Sequence, residues 1–125
     1  MFSCESSINE REYFHVVLAP FSFFKKKKTV AHIKLNGVIG NAGKFKQGID
    51  FAGHEQLIKK AFSLKKASCV AITVNSPGGS PVQSHMIYNF IRQQANNTKK
   101  KVIVFAEDVA ASGGYLISCA GDEIY

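Results

Sequence analysis

Two short apolar runs, each closed by a glycine turn, constrain this chain more than anything else in it. Cys69–Val74 reads Cys-Val-Ala-Ile-Thr-Val, and Val102–Phe105 reads Val-Ile-Val-Phe. Runs of four to six β-branched and apolar residues without polar alternation suit strands covered on both faces, as in a mostly parallel sheet. Parallel neighbours need a crossover between them, and the intervening text supplies one. Ser80 reads as an N-cap, Pro81 as the first helical residue and Gln83 as the partner in a capping box. Val82, Met86, Ile87, Phe90, Ile91 and Ala95 follow at helical spacing, and the helix is expected to end near Asn96-Asn97.

The same alternation extends in both directions. Thr29–Leu35 is a β-rich stretch with Val30, Ile33 and Leu35 as its apolar members. Gly37, Gly40, Gly43 and Gly48 punctuate the loop after it. Residues 53–66 predict a helix with Leu57, Ile58, Ala61, Phe62 and Leu64 on its apolar face. Asp108–Ser112 reads as a turn, Gly113–Ala120 as a short helix, and Glu123–Tyr125 as the start of a further strand. The order β-α-β-α-β-α-β predicts an α/β fold with right-handed crossovers.

Residues 1–28 lack a period and read as an N-terminal extension, with 29–125 as the folded unit. The extension ends in Phe21-Ser22-Phe23-Phe24 followed by Lys25–Lys28, a pattern suited either to a solvated charge run or to a lipid headgroup boundary. The apolar stretch Tyr13–Phe24 is interrupted by His15 and Pro20 and is too short to span a bilayer. It follows Glu5, Glu10 and Glu12, the wrong flank for a secretory signal.

The chain has 16 basic and 9 acidic residues, a net charge of +7. Seven of the lysines fall in two clusters, Lys25–Lys28 and Lys99–Lys101, and the remainder balances. In the sequence this is two local patches and not a basic face, which argues against a nucleic-acid binder. Cys4, Cys69 and Cys119 form no metal-ligand spacing, so neither a metal site nor a disulfide scaffold is expected. Cys69 and Cys119 lie in apolar text and read as buried thiols in a reducing compartment.

Two loops carry the chemistry: Asn75-Ser76-Pro77-Gly78-Gly79-Ser80-Pro81, and Asp108-Val109-Ala110-Ala111-Ser112-Gly113-Gly114-Tyr115. Both leave the C-terminal ends of strands, the edge where α/β sheets gather their sites. On spacing alone two readings stay open. Ser112 is a helix cap and Gly78-Gly79 a tight turn; or Ser112 is a nucleophile beside backbone N–H groups able to hold an oxyanion, with a helix dipole behind it.

The motifs Leu35-Asn36-Gly37-Val38-Ile39-Gly40, Val74–Val82, Asp108–Tyr115 and Cys119–Tyr125 stand in one order at regular intervals, and with them the stretch from Val30 to Tyr125 resembles the signal peptide peptidase A family of serine peptidases. The resemblance implies a ClpP/crotonase-like fold, with Ser112 as nucleophile and the N–H groups of Gly79 and Gly113 as oxyanion donors. It implies no cofactor and no metal, peptide substrates such as cleaved signal peptides, and a ring assembly. The family's lysine base lies well downstream of the Ser-Gly-Gly motif. Only 13 residues follow Ser112, so the expectation is an N-terminal part of such a domain without its general base. Lys34, Lys44 and Lys46 read as solvated, and His32, His54 and His85 as surface or loop residues; should a base exist after all, Lys34, Lys44, His54 and His85 are the candidates. The expected location is the cytoplasm, with residues 1–28 as the segment suited to a weak contact with the inner membrane face. Two other functions compete: a non-catalytic scaffold of the same fold, and an acyl-CoA hydratase or isomerase of the crotonase type.

Overall fold

The computed structural model of the protein describes residues 14–18, 28–40 and 48–125. Among them a five-stranded sheet runs in sequence order: β1 (Phe14–Leu18), β2 (Thr29–Asn36), β3 (Ala67–Ser76), β4 (Lys101–Ala110) and β5 (Glu123–Ile124). The pairs β2–β3, β3–β4 and β4–β5 are parallel; β1 is antiparallel to β2, with Leu18 opposite Thr29 and His15 opposite His32. The crossovers are α1 (Phe51–Ser63) and α2 (Pro81–Thr98), and the short α3 (Gly113–Ser118) precedes β5.

Because each crossover advances the sheet by one strand in the same direction, α1 and α2 pack on one face and touch each other. The core lies between them and the sheet. Ala31, Ile33 and Leu35 of β2, Val70, Ile72 and Val74 of β3, and Val102 and Val104 of β4 meet Ile58, Ala61 and Phe62 of α1 and Ile87 and Ile91 of α2. All of these are buried. The residues between them on β2 and β3, His32, Lys34, Ala71 and Thr73 among them, are half-buried on the other face, and Phe105 of β4 is exposed. The strands are therefore fully covered on one side only, and the apolar run of β3 reflects its central position more than burial on both faces.

Asp50 caps α1 through its carboxylate, which accepts from Gly53 N at 2.7 Å, so the helix starts two residues earlier than its apolar spacing suggests. Ser80 caps α2 by accepting from Gln83 N, as the sequence predicts. The reciprocal half of the capping box does not form. Gln83 Oε1 accepts from Phe51 N at 2.7 Å and ties the two helices together, while Ser80 N donates to Ile39 O at 2.8 Å. Lys99, in the left-handed conformation at φ 57°, closes α2, and its N–H returns to Ala95 O.

Four further expectations are corrected. The segment 1–28 is not uniformly an extension, since Phe14–Leu18 adds a strand to the sheet; the remainder of that segment, apart from Lys28, lies outside the described residues, as do Gly43, Lys44 and Lys46. The Asp108–Ser112 turn is shorter than expected, because β4 continues past a register shift to pair Ala110 with Ser76. Val82 and Met86 do not join the core but are 66% and 40% exposed, because the apolar spacing of α2 is wider than the strip the sheet can cover. Cys119 is exposed and Cys69 half-buried, so apolar neighbours in the sequence were a poor guide to their burial.

Candidate active site

Ser76 is the hub of the C-terminal edge. It is fully buried, and its two oxygens hold two separate loops, with a third piece of backbone packed against one of them. Its Oγ accepts from Gly78 N at 3.1 Å, its carbonyl oxygen accepts from Ala111 N at 3.0 Å, and a Cβ on Gly114 would come within 2.7 Å of that same oxygen. The Pro-Gly-Gly loop and the Ala-Ser-Gly-Gly loop are thus fixed to one residue. The segment after β2 clasps the first loop from the other side: Ile39 N donates to Gly78 O at 2.9 Å, and Ser80 N returns the bond to Ile39 O. Gly79 has no room for a side chain there, since a Cβ would stand 2.0 Å from Ile39 O.

Ser112 sits at the first corner of a tight turn in which Gly114 N donates to Ala111 O at 2.9 Å. Its φ of 51° and ψ of −118° match the first central residue of a type II′ turn, a position glycine normally fills. A non-glycine residue there carries strain of about 1–3 kcal/mol. Its side chain makes no cap hydrogen bond, and Ser112 is exposed, so the reading of Ser112 as an ordinary helix cap does not hold. The next residue, Gly113, is buried against α2, where a Cβ would meet Ser84 Oγ at 2.2 Å. Ser84 is itself fixed by donating from Oγ to Ser80 O at 2.8 Å.

The two loops touch. A Cβ on Gly78 would lie 2.7 Å from the Cβ of Ser112 and 2.9 Å from Gly113 N. Covalent geometry then puts the Gly79 nitrogen no more than roughly 7 Å from the Ser112 Cβ. Neither Gly79 N–H nor Gly113 N–H donates to another described residue. Gly79 is exposed; Gly113 opens a helix of six residues, too short for its dipole to matter much beside the N–H itself. A cavity of about 470 Å³ is lined by Gly40, Phe51, Ser80, Gln83 and Met86 and includes neither Gly79 nor Ser112.

No described residue makes a hydrogen bond to the Ser112 side chain, and the base candidates are engaged elsewhere. Lys34 projects from β2 into an ion pair with Glu107 at 3.5 Å. His54 Nδ1 donates to Asp50 O at 2.9 Å, and His85 Nδ1 meets the amide of Asn89 at 3.4 Å. His32 meets Thr73 Oγ1 at 3.2 Å on the half-covered sheet face. Lys44 and Lys46 lie outside the described residues. The described residues contain no cluster of three or more metal-ligating side chains.

Sequence reasoning singled out Ser112, Gly79 and Gly113 as candidates and passed over Ser76 and Ser84, which hold their loops in place. A polar residue closing an otherwise apolar strand, directly before Pro-Gly-Gly, was the signal for Ser76. Ser84 left no signal, because a serine in the first turns of a helix is commonplace.

This architecture, a parallel sheet with helices on one face and a strained serine beside a glycine loop, has the ClpP-like fold. The ClpP1 N165D mutant from Listeria monocytogenes superposes with a TM-score of 0.51 over 72% of this chain and 46% of that one, at 20% identity. The sequence comparisons point to one peptidase family over part of the chain. Residues 94–125 match Peptidase family S49. The chloroplastic serine protease SPPA of Arabidopsis thaliana is 40% identical over 73 residues, 56% of this chain and 10% of that protein. Protease 4 of Haemophilus influenzae is 40% identical over 72 residues, 55% of this chain and 11% of that protein. The resemblance to the signal peptide peptidase A type of S49 peptidase therefore stands, and the chain spans about a tenth of the length of these two proteases. A longer match joins 108 residues, 86% of this chain, at 46% identity to a protein named Na(+)/H(+) antiporter NhaA from Brucella melitensis. The chain spans 15% of the length of that relative.

Proposed function

We propose that this chain carries the nucleophile half of a serine peptidase site of the signal peptide peptidase A type, with Ser112 as nucleophile. The observation that carries the reading is the conformation of Ser112. A serine held at φ 51° in a glycine-type turn, without a cap bond and against Gly78, is strained, exposed and close to two N–H groups that donate to no described residue. Strain of this kind persists where the surrounding structure over-determines it, and it gathers at reactive sites.

In the proposed reaction Ser112 Oγ attacks the carbonyl carbon of an apolar peptide, and its proton passes to a base. The carbonyl oxygen becomes an oxyanion facing Gly79 N–H and Gly113 N–H; each such donor is typically worth about 3–4 kcal/mol. The C–N bond breaks, the amine departs with the proton, and water hydrolyses the acyl-serine to regenerate the hydroxyl. The base comes from outside the described residues, either from a further segment or from a neighbouring protomer in a ring. Substrates are apolar peptides such as spent signal peptides, and the location is the cytoplasmic side of the membrane.

The scaffold reading draws on one observation, that no described base reaches Ser112. Transport is not extended to this chain: it belongs to the name of a protein of which the matched segment is 15%, and no helix among the described residues is long and apolar enough to cross a membrane.

The test mixes the chain with an intact homologue whose own nucleophilic serine is replaced by alanine and follows a fluorogenic apolar peptide. Turnover in the mixture that disappears with Ser112→Ala is expected, since general-base assistance is typically worth about 10²–10⁴ in rate. A mixture that assembles yet never turns over overturns the catalytic reading in favour of the scaffold. Turnover by the chain alone that Ser112→Ala abolishes places the base within the chain.

A further inference from the structure

A serine near the start of a helix ordinarily faces water or bonds back onto its own backbone. Ser84, one turn into α2, bonds back and is fully buried as well. Its Oγ donates its one proton to Ser80 O at 2.8 Å, the same carbonyl that accepts from Ser84 N at 3.1 Å. Ser80 directly follows Gly79, so both bonds hold the chain where it leaves the first N–H group of the candidate site. On its other side the same oxygen meets the residue that carries the second. A Cβ on Gly113 would stand 2.2 Å from Ser84 Oγ, and covalent geometry then puts the Gly113 Cα within about 3.7 Å of that oxygen. The contact is steric and not a hydrogen bond: the Ser84 proton points to Ser80, and Gly113 N–H donates to no described residue. Gly113 is thus held from behind while its N–H stays free.

Gly113 comes 34 positions after Gly79, so neither loop alone sets the distance between their N–H groups. Ties on two sides set it. On the strand side Ser76 holds Gly78 N through its Oγ and Ala111 N through its carbonyl, just ahead of each donor. On the helix side Ser84 holds Ser80, just after the first donor, and rests on Gly113, which is the second. Ile39 backs this side: its carbonyl accepts from Ser80 N at 2.8 Å, and its Cδ1 would lie 3.1 Å from a Cβ on Gly113. Alanine at position 84 would keep the helix, lose the bond to Ser80 and open a space one oxygen wide beside Gly113.

We infer that Ser84 is a positioning residue of the candidate site, its buried hydroxyl setting the separation of the Gly79 and Gly113 N–H groups so that both face one oxyanion. The catalytic consequence rests on the peptidase reading; the geometry does not. An oxyanion exists only as the reaction proceeds, so a change in this separation weakens binding of the transition state and leaves binding of the substrate nearly as it was. Ser84 itself touches no reacting atom and acts through the two glycines.

The test compares Ser84→Ala with Thr98→Ala, which removes the same kind of back-bond, Thr98 Oγ1 to Gln94 O at 2.8 Å, from the opposite end of α2. In the mixed assembly described above, Ser84→Ala should lower kcat by about 10–100-fold with KM changed by less than about threefold. Ser84→Cys, which puts the larger sulfur against Gly113, should lower kcat likewise, while Thr98→Ala leaves both constants unchanged. In the chain alone, proton–nitrogen correlation spectra should show the Gly79 and Gly113 amide resonances both displaced by Ser84→Ala and neither displaced by Thr98→Ala. Thermal melts establish that each variant is folded at the assay temperature. An unaltered kcat, a rise in KM alone, or displacement of Gly113 without Gly79 overturns the inference. Should the unsubstituted chain give no turnover in the mixture, the peptidase reading fails, and the spectra of the chain alone still decide whether Ser84 couples the two N–H groups.

Discussion

Gly78 and Ser112 stand so close that a methyl group on the first would overlap the side chain of the second, Cβ to Cβ 2.7 Å. The contact joins two loops 34 positions apart and depends on a glycine at φ 99°. Gly78→Ala meets both obstacles. The left-handed backbone costs about 1–2 kcal/mol and the overlap a further 1–3 kcal/mol. A drop of at least about 2 kcal/mol in unfolding free energy is expected in urea titration. A loss under about 0.5 kcal/mol would mean that the loops are not in contact.

Ser112 itself should be replaceable with a gain in stability. Ser112→Gly relieves the positive φ, while Ser112→Ala keeps it and removes only the hydroxyl. The glycine variant should exceed the alanine variant by about 0.5–1 kcal/mol, the strain relief being partly offset by the entropy of a freer unfolded chain. Both should be inactive in the mixed-assembly assay. Equal stabilities would show that the turn carries no strain.

Ser76→Ala should destabilise by about 1–3 kcal/mol although it removes a single oxygen. The Gly78 N–H that Ser76 Oγ accepts is buried and would lose its partner. The same substitution loosens the loop that carries Gly79, so turnover in the mixed assay should fall even where the protein remains folded. A change of stability without any change of turnover would separate Ser76 from the site.

Gly113→Ala drives a methyl group into Ser84 Oγ, at 2.2 Å. A cost of about 2–3 kcal/mol is expected. Pairing it with Ser84→Ala should recover part of that loss, and Ile39 and the Ser84 Cβ, at 3.1 and 3.2 Å, limit the recovery. A double-mutant cycle with coupling below about 0.5 kcal/mol would contradict the contact.

At the far edge, Asp122 gives the fold an acid limit. Val102 N–H donates to its Oδ2 at 2.8 Å and Arg92 to its Oδ1 at 2.9 Å, and the Val102 bond is the larger cause holding the carboxyl below its ordinary value. The folded state therefore binds this proton less readily than the unfolded chain. The stabilisation is complete above the ordinary carboxylate value of 3.8 and is lost as pH falls through the lower folded value. Asp122→Asn should cost about 1–2 kcal/mol at pH 7 and flatten the acid side of a stability–pH profile below the ordinary carboxylate value. An unaltered acid slope would show that Asp122 is not the group titrating.

Much of this was legible beforehand. The β-branched runs at Cys69 and Val102 and the helical spacing after Ser80 predict the elements to within a few residues, because burial of one face imposes a period. Ser80 declares its cap through its own hydroxyl. What escaped was set by partners distant in sequence. Gln83 carries the capping-box signature, yet its amide is taken by Phe51 N from another helix. Val82 and Met86 continue the apolar spacing of α2 but face outward, since the sheet covers a narrower strip than the pattern offers. Cys119 has apolar neighbours and is exposed all the same.

The candidate site divides in the same way. Its residue types, a serine followed by two glycines and a proline followed by two more, are local, and so is the freedom of Gly78 and Gly79 to take positive φ. By itself the sequence determined the succession of strands and helices, the glycine turns at two strand ends, and the serine at the second of them. Only the tertiary structure decided that Ser112 is strained and makes no side-chain cap bond, that Gly78 lies against it, and that Ser76 ties both loops to one strand end. Propensity and period act over a few neighbouring residues, whereas parallel pairing brings together positions more than thirty residues apart, and only the sheet's register says which positions meet.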